Sequence, residues 1–164
     1  MQRPVKNCYW VEEGKFLAGE YPRNKDEESS RAKMNAILAS GVTVFIDLTE
    51  EGELLPYQSF IGSAAYYRFP IVDVSVPQSS TDMIRILDTL DRLMAEGAVI
   101  YLHCWGGVGR TGTVVGCWLA RHNGSAQGWD RLQAVWKQCA KSTFRSSPET
   151  PAQKRYIETW PLGQ

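Results

Sequence analysis

The chain has 164 residues, with 18 basic and 18 acidic side chains and no formal net charge. That length favours one domain around one sizeable core, expected over residues 1–164, and a composition of 43% hydrophobic and 22% charged residues excludes a disordered chain. Charge balance removes any general attraction to nucleic acid or anionic membrane, so anion binding must be local, and no apolar run reaches the ~20 residues that span a bilayer.

Met1-Gln2-Arg3-Pro4-Val5-Lys6 lacks the apolar centre of a secretory leader. Cys8, Cys104, Cys117 and Cys139 are widely spaced and form no Cys-x-x-Cys pair; His103 and His122 are the two histidines. Such spacing argues against a zinc framework, so no metal and no cofactor are expected. The expectation is a reduced, cytoplasmic protein, with a monomer as the simplest state.

Tyr9-Trp10-Val11 and Lys15-Phe16-Leu17-Ala18 flank Glu12-Glu13-Gly14 and predict a short hairpin. From about Asp26 to Ser40 the apolar spacing is helical, with Gly41 as a stop. Val42 to Leu48 reads as a buried strand. Thr49 to Glu53 is then a charged loop, Leu54 to Ile61 a short helix, and Ala65 to Phe69 another strand. Pro70 and Pro77 bracket an extended loop with one acid, Asp73.

Thr81 or Asp82 is expected to cap a helix with Met83, Ile86, Leu87, Leu90, Leu93 and Met94 on one face. Ala98 to Leu102 is a strand, and Thr111 to Arg121 a helix apolar nearly all round, hence central. Further helices are expected from Ser125 to Ala140 and from Thr150 onward. Strands alternating with helices predict an α/β fold with a mainly parallel central β-sheet flanked by helices.

Between the central strand and helix lies His103-Cys104-Trp105-Gly106-Gly107-Val108-Gly109-Arg110-Thr111-Gly112. Gly107-x-Gly109-x-x-Gly112 formally matches the dinucleotide fingerprint, with Asp130 about twenty residues on. Asp130, however, falls inside a helical pattern with no second strand to present it. A nucleoside triphosphate loop needs Lys-Ser/Thr after its last glycine, where this chain has Thr113-Val114.

A third reading uses every unusual residue. Glycines let successive N–H groups turn inward as an anion nest, and a helix N-terminus adds its positive dipole. Arg110 supplies a planar fork for two oxygens of a tetrahedral dianion. Thiolates are favoured in such fields, which makes Cys104 the candidate nucleophile beneath a bound phosphate. Trp105, Gly106, Gly107, Val108, Gly109 and Arg110 are the candidate phosphate-binding residues.

His103-Cys104, five residues, then Arg110-Thr111 closely resembles the signature loop of the cysteine-based protein tyrosine phosphatases, and the small size is most similar to the dual-specificity branch. The resemblance implies the phosphatase fold and a phosphocysteine intermediate on Cys104. It implies a Thr111 hydroxyl that hydrogen-bonds the departing thiolate, and a His103 that orders the loop. It also implies an acid on a mobile loop about thirty residues upstream, a position matched by Asp73, thirty-one residues before Cys104. Asp82 is the alternative acid.

Gln153 carries two readings. Tyrosine-specific relatives place a glutamine near the hydrolytic water, but Thr150-x-x-Gln153 is also a capping box with proline first, which explains it locally. Asp47-Leu48-Thr49 is expected to structure a loop at the mouth of the site. Trp105 either walls the site or packs beneath the loop. A Cys8–Cys104 disulfide is open, since sequence gives no distance.

The resemblance implies a phosphorylated protein as substrate, with phosphotyrosine first and phosphoserine or phosphothreonine as extensions. A phosphoinositide or other small monoester is the alternative, weakened by a loop without lysine. A silent phosphoprotein-binding module is a further alternative.

Overall fold

The computed structural model describes residues 1–164. Five strands, β1 (Cys8–Glu12), β2 (Phe16–Gly19), β3 (Val44–Asp47), β4 (Ala65–Arg68) and β5 (Ile100–His103), form one sheet in the order β1-β2-β5-β3-β4. The β1–β2 hairpin is antiparallel, and β2–β5, β5–β3 and β3–β4 are parallel. Five helices accompany them: α1 (Glu27–Ala39), α2 (Ser80–Ala95), α3 (Arg110–Asn123), α4 (Ser125–Trp136) and α5 (Pro151–Glu158). No helix is long and apolar enough to cross a membrane.

Alternate side chains of a strand face opposite sides of a sheet, and both sides are covered here. Leu17, Phe45 and Tyr101 pack with Met34 and Ile37 of α1 on one side. Phe16, Ala18, Val44, Ile46, Ile100 and Leu102 pack on the other with residues of α2, α3, α4 and α5. Helix α3 is central as its composition predicts, with every residue from Arg110 to Ala120 buried. Small residues allow that burial: a Cβ on Gly116 would meet Ile157 at 2.3 Å, and one on Gly128 would meet the Ala120 backbone at 2.5 Å.

Parallel β2, β3, β4 and β5 all end at one edge, so the segments 20–26, 48–57, 69–79 and 104–109 converge there. Ligand sites of open α/β sheets form at this carboxyl edge.

Three boundaries differ from the sequence expectations. Leu54–Ile61 is a loop with only a 3-10 turn at Gln58–Phe60, because Tyr57 inserts into the core while Leu55 faces solvent. Helix α2 is capped by Ser79, whose hydroxyl accepts from the Asp82 N–H at 3.1 Å, and neither Thr81 nor Asp82 is the cap. Helix α4 stops at Trp136 because the Gln138 side chain bonds both the N–H and the carbonyl of Trp10, 3.0 Å each, and draws the chain away.

Candidate active site

Cys104 lies just past β5, only 3% exposed. The carbonyls that follow it are tied to surrounding elements. Trp105 O accepts from Tyr21 N–H at 2.9 Å, Gly106 O from Lys141 Nζ at 2.7 Å and Val108 O from Ser147 Oγ at 2.7 Å. Gly109 O accepts from the N–H and hydroxyl of Thr113 at 2.9 and 2.8 Å. A peptide N–H points opposite the preceding carbonyl, so anchoring the carbonyls outside turns the N–H groups inward. None of the N–H groups of residues 105–109 donates to a backbone carbonyl. Helix α3 begins without a side-chain cap. Gly107 has φ +70°, and a Cβ there would lie 2.4 Å from the Gly19 backbone. The loop is a nest of free donors at a helix N-terminus.

Arg110 opens α3 with its side chain 1% exposed. Its Nη1 donates to Glu53 Oε2 at 2.9 Å and to the Ile71 carbonyl at 3.0 Å; its Nη2 reaches Glu53 Oε1 at 2.6 Å and Asp73 Oδ1 at 3.2 Å. Burial disfavours the guanidinium charge, but the Glu53 hydrogen bond, Cys104 and the nearby carboxylates outweigh it and hold the cation more firmly. Glu53 in turn is held below the usual carboxylate range, chiefly by its hydrogen bond from Arg110. Two buried polar atoms have no partner here, Arg110 Nε and Thr111 Oγ1. Buried polar groups are nearly always satisfied, so this pair is available to a bound group.

Behind the loop, His103 is fully buried. Its Nδ1 lies 3.2 Å from the Cys104 carbonyl and 3.9 Å from Asp47 Oδ1, and its Nε2 is 2.6 Å from the Tyr57 hydroxyl. A carbonyl only accepts, so Nδ1 carries the proton and Nε2 accepts from Tyr57. Burial pushes the imidazole down to about 4, against the pull of Asp47, which makes this histidine neutral rather than half of an ion pair. Asp47 accepts from the Thr49 N–H at 2.8 Å, the Thr49 hydroxyl at 2.6 Å and Tyr66 at 2.8 Å, and structures the mouth as its sequence position predicts.

Asp73 sits over the loop on the segment after β4, half-exposed, with its carboxylate toward Arg110. The next residue, Val74, has φ +53°, a strained value for a β-branched side chain. Gln153, fully buried, forms the capping box with Thr150, accepts from the Glu149 N–H at 3.1 Å, and donates through Nε2 to the Ser75 carbonyl at 3.0 Å. It therefore caps α5 and also ties that helix to the Asp73 segment. Asp82 is engaged with Ser79 at the start of α2.

Trp105 is 61% exposed and does not pack beneath the loop. It borders an open cleft of about 1050 Å³, with Glu53, Leu54, Leu55 and Pro56 on one side and Tyr21, Arg23 and Lys25 on another. All four cysteines are free; Cys8 is fully buried, donates to the Val5 carbonyl at 3.0 Å, and is pushed up to about 11 by burial. Glu53 and Tyr57 are site residues that sequence reasoning missed. Glu53 sits in an acidic run that resembles any solvated loop, while Tyr57 offered one signal, a large aromatic between polar neighbours.

A mainly parallel sheet whose central strand feeds a cysteine, a glycine-rich nest and a buried arginine defines a cysteine phosphatase-type domain. Residues 5–157 match the family described as PTP-SAK, the Swiss Army Knife protein DSP-PTPase phosphatase domain, and the chain belongs to that family. It is 33% identical over 111 residues to 067L, a predicted tyrosine phosphatase of Invertebrate iridescent virus 3, covering 65% of this chain and 42% of the relative. Against mouse dual specificity protein phosphatase CDC14A it is 29% identical over 121 residues, 69% of this chain and 19% of the relative. The chain thus spans less than half the length of these curated relatives. Among solved structures, a mutant form of Tk-PTP superposes with TM-score 0.72 at 20% identity, covering 93% of this chain and 92% of the other. PTPMT1 in complex with PI(5)P gives 0.69 at 17% identity, covering 93% of each chain. These likenesses establish the phosphatase fold.

Proposed function

We propose that this domain, over residues 1–164, hydrolyses phosphate monoesters on proteins, phosphotyrosine first, through a phosphocysteine on Cys104. One observation carries the reading: a nest of unpaired N–H groups beside Cys104, completed by unpartnered Arg110 Nε and Thr111 Oγ1. That arrangement suits a tetrahedral oxyanion and a sulfur nucleophile in line with it.

In the first step the Cys104 thiolate attacks phosphorus, the bond to the ester oxygen breaks, and the Asp73 carboxyl gives that oxygen its proton. In the second step the Asp73 carboxylate takes a proton from water as it attacks the phosphocysteine. The sulfur leaves as a thiolate that accepts a hydrogen bond from the Thr111 hydroxyl. The N–H groups of residues 105–109 and the Arg110 fork hold the equatorial oxygens throughout. His103 and Gln153 support the loop and the acid segment. No cofactor or metal is needed for either step. The proposed setting is cytoplasmic, as a monomer acting on phosphorylated proteins.

Turnover of p-nitrophenyl phosphate tests the reading. Cys104→Ser should abolish it while leaving the fold unchanged by circular dichroism, and retained turnover in that variant refutes the nucleophile. Asp73→Asn should depress turnover by about 10²- to 10⁴-fold, the range of general acid contributions, and flatten the basic limb of the pH–rate profile.

A further inference from the structure

Trp105 belongs to the phosphate loop, Glu53 is bonded to that loop's Arg110, and both line the adjoining cleft, so the two spaces are continuous. A phosphate group fills the nest alone; the cleft of about 1050 Å³ is far larger and opens beside it, with room for residues that flank a phosphorylated side chain. Its apolar wall is Leu54, Leu55, Pro56 and Trp105, with Leu55 55% and Trp105 61% exposed. Large apolar side chains left in water around a concave site mark a binding surface.

The charges lining the cleft are not equally free. Lys33 is bonded to Glu20 at 2.8 Å, Glu20 is also bonded to Lys141 at 2.9 Å, and Glu53 is occupied by Arg110. Arg23 forms no ion pair, donates to the Pro56 carbonyl and lies 5.2 Å over the Phe60 ring, and its buried Nε has no partner. Lys25 is exposed and forms neither a salt bridge nor a side-chain hydrogen bond. The uncompensated charge of the cleft is therefore positive, carried by Arg23 and Lys25.

We propose that this cleft is a substrate subsite for a phosphopeptide that carries a bulky apolar residue and an acidic residue beside its phosphorylated side chain. The apolar residue lies against Leu55 and Trp105, and the acidic one pairs with Lys25 and Arg23. The inference rests on the phosphatase reading for its catalytic consequence but not for binding. Neither the Leu55 nor the Lys25 side chain bonds Cys104, Arg110 or Asp73, so substituting them changes the subsite without changing the chemistry.

The test uses phosphotyrosine peptides that carry Leu and Glu on either side of the tyrosine, against matched peptides carrying Ser and Lys. Binding is read by calorimetry with Cys104→Ser protein, and kcat/KM with wild-type protein. The Leu/Glu peptides should bind about tenfold more tightly, the scale of burying one large apolar side chain. Lys25→Glu should erase the acidic preference and Leu55→Ser the apolar one, while both variants keep wild-type turnover of p-nitrophenyl phosphate. Equal binding of the two peptide sets overturns the proposal, as does a preference that survives both substitutions. Phosphatidylcholine vesicles doped with a phosphatidylinositol monophosphate form the last arm, and an effect of the variants there alone also overturns it. Because binding is read separately, a selective but inactive protein would refute the catalytic reading and leave the subsite standing.

Discussion

Arg110 meets two carboxylates and a carbonyl before any substrate arrives. Glu53 accepts a hydrogen bond from each terminal nitrogen, and Asp73 takes the contact on Nη2 that an oxyanion would use under the proposed mechanism. Bidentate carboxylate pairs of this kind fix the plane of the guanidinium. Asp73→Asn should therefore bind inorganic phosphate several-fold more tightly even as it loses turnover, read as a larger rise in melting temperature with added phosphate. Glu53→Gln keeps the shape but removes the charge. It should destabilise the fold by about 1–3 kcal/mol, the scale of a charge-assisted hydrogen bond at a partly buried site, and a urea midpoint equal to wild type counts against the positioning role. Asp73 was legible because a family spacing pointed to it. Glu53 was not, because Glu50, Glu51 and Glu53 look alike until the tertiary fold brings one of them to Arg110.

At the scale of elements, Gly116 at the α3–α5 contact and Gly128 at the α3–α4 contact act through close approach rather than through turns. Replacing a helical glycine by alanine ordinarily helps a helix by about 1 kcal/mol. Gly128→Ala should instead cost about 2–3 kcal/mol, since its Cβ would meet backbone atoms of Ala120 that cannot rotate away; chemical denaturation decides between the two signs. The same helices show what periodicity can and cannot supply. Apolar spacing placed α1, α2, α3 and the start of α5, where the capping box was visible as Thr150-x-x-Gln153. It misplaced the end of α4 and invented a helix at 54–61, because Gln138 and Tyr57 are governed by partners far along the chain. The second task of Gln153, its bond to the Ser75 carbonyl 78 positions away, lies equally beyond local sequence.

For the molecule as a whole, the buried histidine gives stability a pH dependence with a definite sign. His103 sits at about 4 in the folded protein against an ordinary 6.5. As pH falls through 6.5 the unfolded chain takes up a proton that the folded chain refuses, so stability declines until about pH 4, by up to roughly 3 kcal/mol in total. Asp47 and Glu20, both held below the usual carboxylate range by their partners, add their own loss only at more acid pH. Melting temperature should thus already fall between pH 6.5 and 5, and His103→Asn should flatten that part of the curve. The alternation of strands and helices and the mainly parallel sheet followed from the alternation of apolar runs. The neutral state of His103 did not, since it depends on the Tyr57 hydroxyl and the surrounding burial.

The carboxylates around Arg110 also make the loop an ion exchanger with its counter-ion built in. An anion that takes Nη2 must outcompete Asp73 for it, and a singly charged group offers Arg110 no more than the carboxylate it displaces. A doubly charged phosphate monoester offers more, and the inward N–H groups reward its extra oxygen. The site should therefore rank ligands by charge before shape. Inorganic phosphate is expected to raise the melting temperature at concentrations where dimethyl phosphate and nitrate do not. By the same filter a phosphodiester, which carries one charge per phosphate, is expected to bind less tightly than a monoester.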